Sequence, residues 1–486
     1  MVLAVLVFAF AFPLQSQTLV SDRDAIVPTA EKITGSAYRF ESKSIGESRT
    51  VLIALPKSFA KTQRTYPVLF VLDGEGQFPT ATTVASTLAS LGHMPEVIVV
   101  GIPNTNRLRD LTPPGLSVSG SSKSEGGERF LDFLEKELMA ALKAQFRANG
   151  MIVLEGHSSG GILATYAAAT RPAFRFILAL DTPVWLGENW LVARLGDRVR
   201  SRAPGQLRYV ALDARYGWPD SLWTTFSKTV PATWQVERTK LDHESHNSMV
   251  FVGLYLGLRT LFEDFAIVGA PQSPTTATLA HYRDLERSYG VPVIPPSGLL
   301  RRVLEDLEME GQSVAAADAW KLLLTGYGAP SDSTEWLARL EKLSKQPPLT
   351  ETVESLLATP PPSTTSARHL VGEWRGKEWI AEEDKHDVVL RLRDSSGVVV
   401  GEWLSYPAPG VELVQKLTHI KLVPGGFDWG FMNGMRPRGM LIHETRVSGD
   451  KAEGTMRFGG IRFQPPKEFG PPPVVRFELT RSVSAK

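Results

Sequence analysis

An α/β fold on a mostly parallel sheet is predicted for residues 38 to 265, with further domains behind it, from three observations. Short β-branched runs alternate with longer amphipathic segments over this span, which is the pattern of strand-helix units. A glycine-flanked serine, Gly156-His157-Ser158-Ser159-Gly160, lies between an apolar run, Met151 to Leu154, and an alanine-rich stretch, Gly161 to Thr170. The 486 residues exceed what one hydrophobic core usually organises, so two or three domains are expected.

Taken in order, Val2 to Leu14 is apolar apart from Pro13. Its length fits the core of an export signal better than a membrane span, so residues 1–17 are expected to be cleaved and the protein to be periplasmic or secreted. Strands are expected at Val51 to Leu55, Val68 to Leu72, Val97 to Ile102, Met151 to Leu154, Phe176 to Leu180 and Leu207 to Leu212. From Glu128 to Phe146, Leu131, Leu134, Leu138 and Leu142 recur at helical spacing and predict one buried face. Arg107 to Gly127 is rich in Pro, Gly, Ser and charge, and its length predicts a functional lid. These elements make a catalytic domain over residues 30–268.

Beyond it, Ala270-Pro271-Gln272-Ser273-Pro274-Thr275-Thr276 reads as a linker. Helical patterns near Ser297 to Met309, Ser313 to Tyr327 and Ser333 to Leu343 predict a helical module over 277–345. Gln346-Pro347-Pro348 and Thr359-Pro360-Pro361-Pro362-Ser363 predict a Pro-rich linker over 346–368. From 369 to 486 the helical period gives way to short strands with glycine turns, as in an antiparallel barrel or sandwich. Within it, Gly372-Glu373-Trp374 is echoed by Gly401-Glu402-Trp403.

Lys+Arg 53 against Asp+Glu 52 leaves a formal charge of +1, which removes any electrostatic argument for nucleic acid or an anionic membrane surface. Cys 0 excludes disulfides, thiol catalysis and thiolate metal sites. Partners must therefore be argued from sites.

The strand, serine pentapeptide and helix have the layout of a nucleophile elbow, which presents a serine hydroxyl to a base and its oxyanion to backbone amides. This extends the fold class to an α/β-hydrolase with Ser158 as nucleophile. In that fold the chain order is Ser, acid, His. His243 and His246 fall in the polar loop Leu241-Asp242-His243-Glu244-Ser245-His246-Asn247-Ser248, and His246, closer to the following helix, is the expected base. Asp213, directly after the strand Leu207 to Leu212, is the favoured acid; Asp181, after the preceding strand, offers a second geometry. The oxyanion hole is expected from the amides of Ser159 and of Glu75, in the loop Asp73-Gly74-Glu75-Gly76-Gln77-Phe78. The chemistry needs no metal and no cofactor.

Ser48-Arg49 with Val51-Leu52-Ile53-Ala54-Leu55-Pro56, Tyr66-Pro67-Val68-Leu69-Phe70-Val71-Leu72-Asp73-Gly74, Val99-Val100-Gly101-Ile102, Gly156-His157-Ser158-Ser159-Gly160-Gly161 and Glu244-Ser245-His246-Asn247-Ser248 occur in this order. In these motifs residues 38 to 265 resemble the putative esterase family, which includes esterase D, enterochelin esterases, feruloyl esterases and the mycolyltransferases. The resemblance implies the same roles for Ser158, His246 and the amides of Glu75 and Ser159. Two departures bear on the pocket: Asn247 stands where many members have glycine, and Asp181-Thr182-Pro183-Val184-Trp185 replaces a serine-proline-serine run before tryptophan. His281-Tyr282-Arg283 through Tyr327 is similar to degenerate tetratricopeptide helices, which implies core roles for Trp320 and Tyr327 and a protein partner for the module.

The expected activity is hydrolysis of a small-molecule or saccharide-linked carboxylic ester through an acyl-enzyme. Acyl transfer to a sugar or alcohol is the enzymatic alternative, and a binding or scaffold protein on a retired hydrolase fold the non-enzymatic one.

Overall fold

Strand β4, Tyr66–Val71, is buried at every position, as a strand covered on both faces by helices must be. In the computed structural model, which describes residues 20–21, 35–116, 126–186, 190–193, 206–267, 275–330, 332–347, 349–381, 384–432, 439–461 and 474–482, it lies inside a nine-stranded sheet. The neighbours are β1 (Val20–Ser21), β2 (Ser36–Ser42), β3 (Glu47–Ala54), β5 (Ile98–Gly101), β6 (Ala148–His157), β7 (Phe174–Leu180), β8 (Leu207–Asp213) and β9 (Trp234–Lys240). Their order is β1-β2-β3-β5-β4-β6-β7-β8-β9. Pairing is parallel from β5 through β4 and β6 to β9, and antiparallel among β1, β2, β3 and β5. This is an α/β-hydrolase sheet, with the six expected strands in place. β9 escapes the sequence pattern because it is an edge strand of alternating exposed polar residues.

Leu131, Leu134, Leu138 and Leu142 are all fully buried, although the helix that carries them is interrupted by a π-helical stretch, Phe133–Leu138. The expected lid is helical at both ends, Arg107–Leu111 and Gly126–Asp132. Residues 117–125, like the expected signal at 1–17 and the heart of the 270–276 linker, lie outside the described residues.

The chain divides into two compact units, and the expected module at 277–345 is not a third. The first unit takes Met1–Val268, Leu279–Leu299 and Leu323–Ala329; the second takes Gly269–Thr278, Leu300–Leu322 and Pro330–Lys486. Helices Thr275–Tyr289, Ser297–Met309, Ser313–Tyr327 and Ser333–Ser344 are formed, but their side chains are divided between cores. In the first unit Tyr289 packs edge-on to Phe176 at 5.4 Å and donates to Asp264 at 2.7 Å. In the second, Trp320 stacks on Trp336 at 6.1 Å and Arg301 pairs with Asp332 at 2.7 Å.

The second unit also holds nine antiparallel strands, β10 (Gly372–Trp379), β11 (His386–Ser395), β12 (Val398–Ala408), β13 (Val411–Lys416), β14 (His419–Val423), β15 (Gly426–Met432), β16 (Met440–Ser448), β17 (Lys451–Gly459) and β18 (Val475–Arg481). They form one sheet in the order β13-β12-β11-β10-β18-β17-β16-β15-β14. Of the two predicted forms it is nearer the barrel, a half-barrel whose end strands β13 and β14 are not paired with one another among the described residues, although the chain steps between them in two residues. Leu417 donates to Gly401 on β12, and Thr418 donates to Gly430 on β15, each at 2.9 Å. The echoed Gly-Glu-Trp segments lie either side of β11. Arg391 bridges Glu373 and Glu402, while Trp374, Leu390 and Trp403 form a buried row.

The expected linker at 346–368 is instead part of this unit. Val353–Leu357 is a helix with a capping box between Thr352 and Ser355, and Leu356 packs on Met440 and Ile442. Ser363 pairs with Val398, and Ala367 is buried with the barrel core. Proline blocks regular structure only locally, and the apolar residues between the prolines find a surface to bury against.

Candidate active site

β6 delivers the chain to Ser158, whose φ of 60° and ψ of −119° are unusual for a residue with a side chain. The Ser158 amide donates to Leu180 O at 2.9 Å, which fixes the turn against β7. Gly156 is needed here, since a Cβ would lie 2.3 Å from the backbone of Gly160. Gly160 is less constrained, with its nearest neighbour, Leu72, at 3.4 Å. Ser159 opens the helix Ser159–Thr170, and Glu75 stands in the first turn of the helix Gly74–Ser90. Amides of a first helical turn lack intrahelical acceptors, so both positions suit an oxyanion.

His246 is half-buried in the loop before the helix Met249–Leu261, whereas His243 is exposed. Its Nδ1 lies 2.6 Å from Asp181 Oδ2. His157 Nε2 is 2.7 Å from His246 O, with the two rings 4.3 Å apart, and the Tyr216 ring stands edge-on to His246 at 4.9 Å. The imidazole is thus gripped at one nitrogen, at its backbone and on its faces.

Asp181, rather than the favoured Asp213, takes the histidine. Asp181 is fully buried, and its Oδ1 accepts hydrogen bonds from the amides of Ala214, Arg215 and Tyr216, each at 2.9 Å. Burial alone would raise its pKa, but His246 and these three amides hold the carboxyl below the usual range. Asp213 has turned under the loop that follows β8, where its Oδ2 accepts from Trp218 N at 3.0 Å and from Arg238 Nε. Burial pushes the Asp213 carboxyl up to about 6 against the pull of Arg238. The loop after β8, which strand-end reasoning assigns to the acid itself, supplies the acid's amide donors.

Asp73, which also lines the cavity, has a φ of 51° and closes the turn into the helix Gly74–Ser90. Arg107 Nε and Nη2 grip its carboxylate at 2.6 and 2.9 Å, and Asn104 Nδ2 joins Asp73 to Glu75 at 2.6 and 2.7 Å. Asp73 holds the Arg107 guanidinium above its usual range, against the effect of burial. Beneath them Glu155 is fully buried, and neither carboxyl oxygen has a hydrogen-bond partner. Burial, then the nearby Asp73 charge, raises its pKa well above the carboxylate range, so it is held as the neutral acid. Arg107 and Arg238 were invisible to motif reasoning; the strand-end aspartates they pair with were the available signal.

Glu75, Arg107, Ser158, His246 and Phe251 line one cavity of about 630 Å³. Phe251 is 60% exposed on its rim. Among the described residues no group of three or more His, Asp or Glu is arranged to hold a metal, and no helix is long and apolar enough to cross a membrane.

The family model described as Putative esterase matches residues 42–253. A solved IroE-like serine hydrolase from Shewanella oneidensis is 31% identical; the match covers 63% of this chain and 99% of that one, with a TM-score of 0.50. A siderophore triacetylfusarinine C esterase of Aspergillus fumigatus is 28% identical over 174 residues, 32% of this chain and 59% of the relative. YbbA of Bacillus subtilis, described as uncharacterized, is 26% identical over 137 residues, 26% of this chain and 53% of the relative. The chain thus spans between half and three-fifths of the length of the curated relatives it matches.

Proposed function

The chain belongs to the Putative esterase family, and from that premise we propose that it is a serine carboxylic-ester hydrolase working through Ser158, His246 and Asp181. The observation that carries this reading is the Nδ1 contact of His246 with a carboxylate that three amides hold ionised. With Nδ1–H donating to Asp181, Nε2 is left as an acceptor on a residue that lines the same cavity as Ser158. Ser158 Oγ bonds to the acyl carbon as Nε2 takes its proton, and the carbonyl oxygen gathers charge against the amides of Glu75 and Ser159. That proton passes to the departing alkoxide. Water then attacks the acyl-enzyme, gives its proton to Nε2, and Ser158 leaves reprotonated with the acid product.

A siderophore ester is the proposed substrate class, supported by the name of the Aspergillus relative. A cavity lined by Arg107 and Glu75 and also by Val250 and Phe251 suits an ester that carries both polar and apolar groups. Ser158→Ala should abolish hydrolysis of p-nitrophenyl butyrate and of triacetylfusarinine C, together with labelling by a fluorophosphonate, at unchanged thermal stability. Wild-type turnover by that variant would end the proposal. Export is also proposed, on the apolar run Val2 to Leu14; N-terminal sequencing of protein from its source should find a start near Thr18, and an intact Met1 on cytosolic protein would contradict it.

A further inference from the structure

We propose that Asp213 and Arg238 are positioning residues that hold Asp181 against His246 by fixing the loop that supplies its three amides. The inference rests on the Ser158, His246 and Asp181 reading. Its starting point is that one oxygen, Asp181 Oδ1, receives three consecutive N–H groups, from Ala214, Arg215 and Tyr216. Three donors converge on one atom only if the backbone carrying them is held in a tight curve. Residues 214–219 form no helix or strand, so the curve must be imposed from outside.

The imposing groups lie at the two ends of that curve. Asp213 Oδ2 accepts the Trp218 amide at 3.0 Å and so ties the start of the loop to its end. Arg238, on the adjacent strand β9, reaches across both: Nε to Asp213 Oδ2, Nη2 to Trp218 O, and Nη1 to Asp220 Oδ1 at 2.8 Å. Gly217 gives an independent sign that the loop is built around this carboxylate. A Cβ there would lie 2.0 Å from Asp213 Cγ, in the space the carboxyl group occupies.

The arginine also has an electrostatic task. A second buried carboxylate one strand from Asp181 would repel the charge that the imidazolium needs beside it, and pairing with Arg238 compensates that charge while leaving the hydrogen bond to Trp218 intact. The same loop carries Tyr216, whose ring stands against His246. Loosening the clamp should therefore disturb both the acid and a wall of the imidazole site.

A double-mutant cycle tests this in the full chain. Asp213→Asn and Arg238→Lys are made in the wild type and in Asp181→Asn, with kcat and KM measured on p-nitrophenyl butyrate and folding checked by circular dichroism and melting. In the wild-type background each should lower kcat about tenfold to hundredfold, the cost of misplacing a catalytic group by about 1 Å, with KM within twofold. In the Asp181→Asn background each should cost less than twofold more, because the residue through which it acts is already disabled. The downfield proton resonance of the His246 to Asp181 hydrogen bond should weaken in Asp213→Asn. Equal losses in both backgrounds, or full kcat for folded Asp213→Asn, would overturn the proposal. If Asp213→Asn does not fold, Arg238→Lys, which keeps the charge, decides by the same comparison. Wild-type activity in Asp181→Asn itself would instead refute the underlying assignment of the acid.

Discussion

Asp181→Asn is the substitution whose outcome the structure constrains most tightly. The carboxylate accepts three amides on Oδ1 and one imidazole N–H on Oδ2. An asparagine offers one acceptor oxygen and one donor NH₂. With NH₂ on the loop side, donors would face three backbone donors, forfeiting three hydrogen bonds at about 1 kcal/mol each. With NH₂ toward His246 only one contact changes, and a tautomer shift restores it. The loop therefore selects the second orientation, in which Nδ1 becomes the acceptor and Nε2 carries the hydrogen. Such an imidazole is well placed but cannot take the Ser158 proton. The expected loss is about 10⁴ in kcat, or ~5.5 kcal/mol of transition-state stabilisation, with an unchanged fold. Steady-state hydrolysis of p-nitrophenyl butyrate at pH 7.5, set beside fluorophosphonate labelling and circular dichroism, measures it. A loss below tenfold, or a larger loss in Asp213→Asn, would refute the reasoning.

Two further outcomes follow from buried groups away from the hydroxyl. Glu155 has a folded pKa well above its unfolded value, so its contribution to stability is full below the unfolded pKa, near 4.3, and is lost as pH rises through the folded value. Glu155→Gln should therefore match wild type in melting temperature at or below about pH 4 and exceed it increasingly as pH rises above that; parallel melting curves from there to neutral pH would contradict the neutral assignment. Trp374→Ala removes a fully buried indole that donates to Leu370 O at 2.9 Å, and should cost the β-rich unit about 3–5 kcal/mol. Because Ser158, His246 and Asp181 all lie in the other unit, kcat on a small ester at 25 °C should stay within twofold, and a fall in step with the lost stability would give the β-rich unit a part in catalysis.

The elbow and the histidine loop were legible because their chemistry is local. A strand, a serine between glycines and a helix must be contiguous to make the turn, and Leu180 O receiving the Ser158 amide adds only a neighbour already implied by a parallel sheet. The Pro-rich stretch 346–368 was misread for the opposite reason. Composition records where a helix or strand is interrupted, whereas the burial of Leu356 and Ala367 depends on strands far along the chain. The same holds for the helical module, since the resemblance to repeat helices marks the span from His281 but not the Phe176 and Asp264 that Tyr289 meets.

The acid shows most clearly what sequence order leaves open. Leu180 and Leu212 are paired in register on adjacent parallel strands, so Asp181 and Asp213 leave the same edge of the sheet about 4.8 Å apart. Both are strand-end aspartates, and a histidine on a loop beyond β9 can be brought to either. Their surroundings separate them. Asp181 is ionised by amides, which carry no net charge of their own, so its full negative charge is available to an imidazolium forming on His246. Asp213 is balanced by a guanidinium, and a carboxylate already compensated in this way has little left with which to stabilise a second cation. The run Asp181-Thr182-Pro183-Val184-Trp185 thus bears on more than a pocket. It puts an uncompensated carboxylate one strand early, and the aspartate at the customary position is left to shape the loop that holds it.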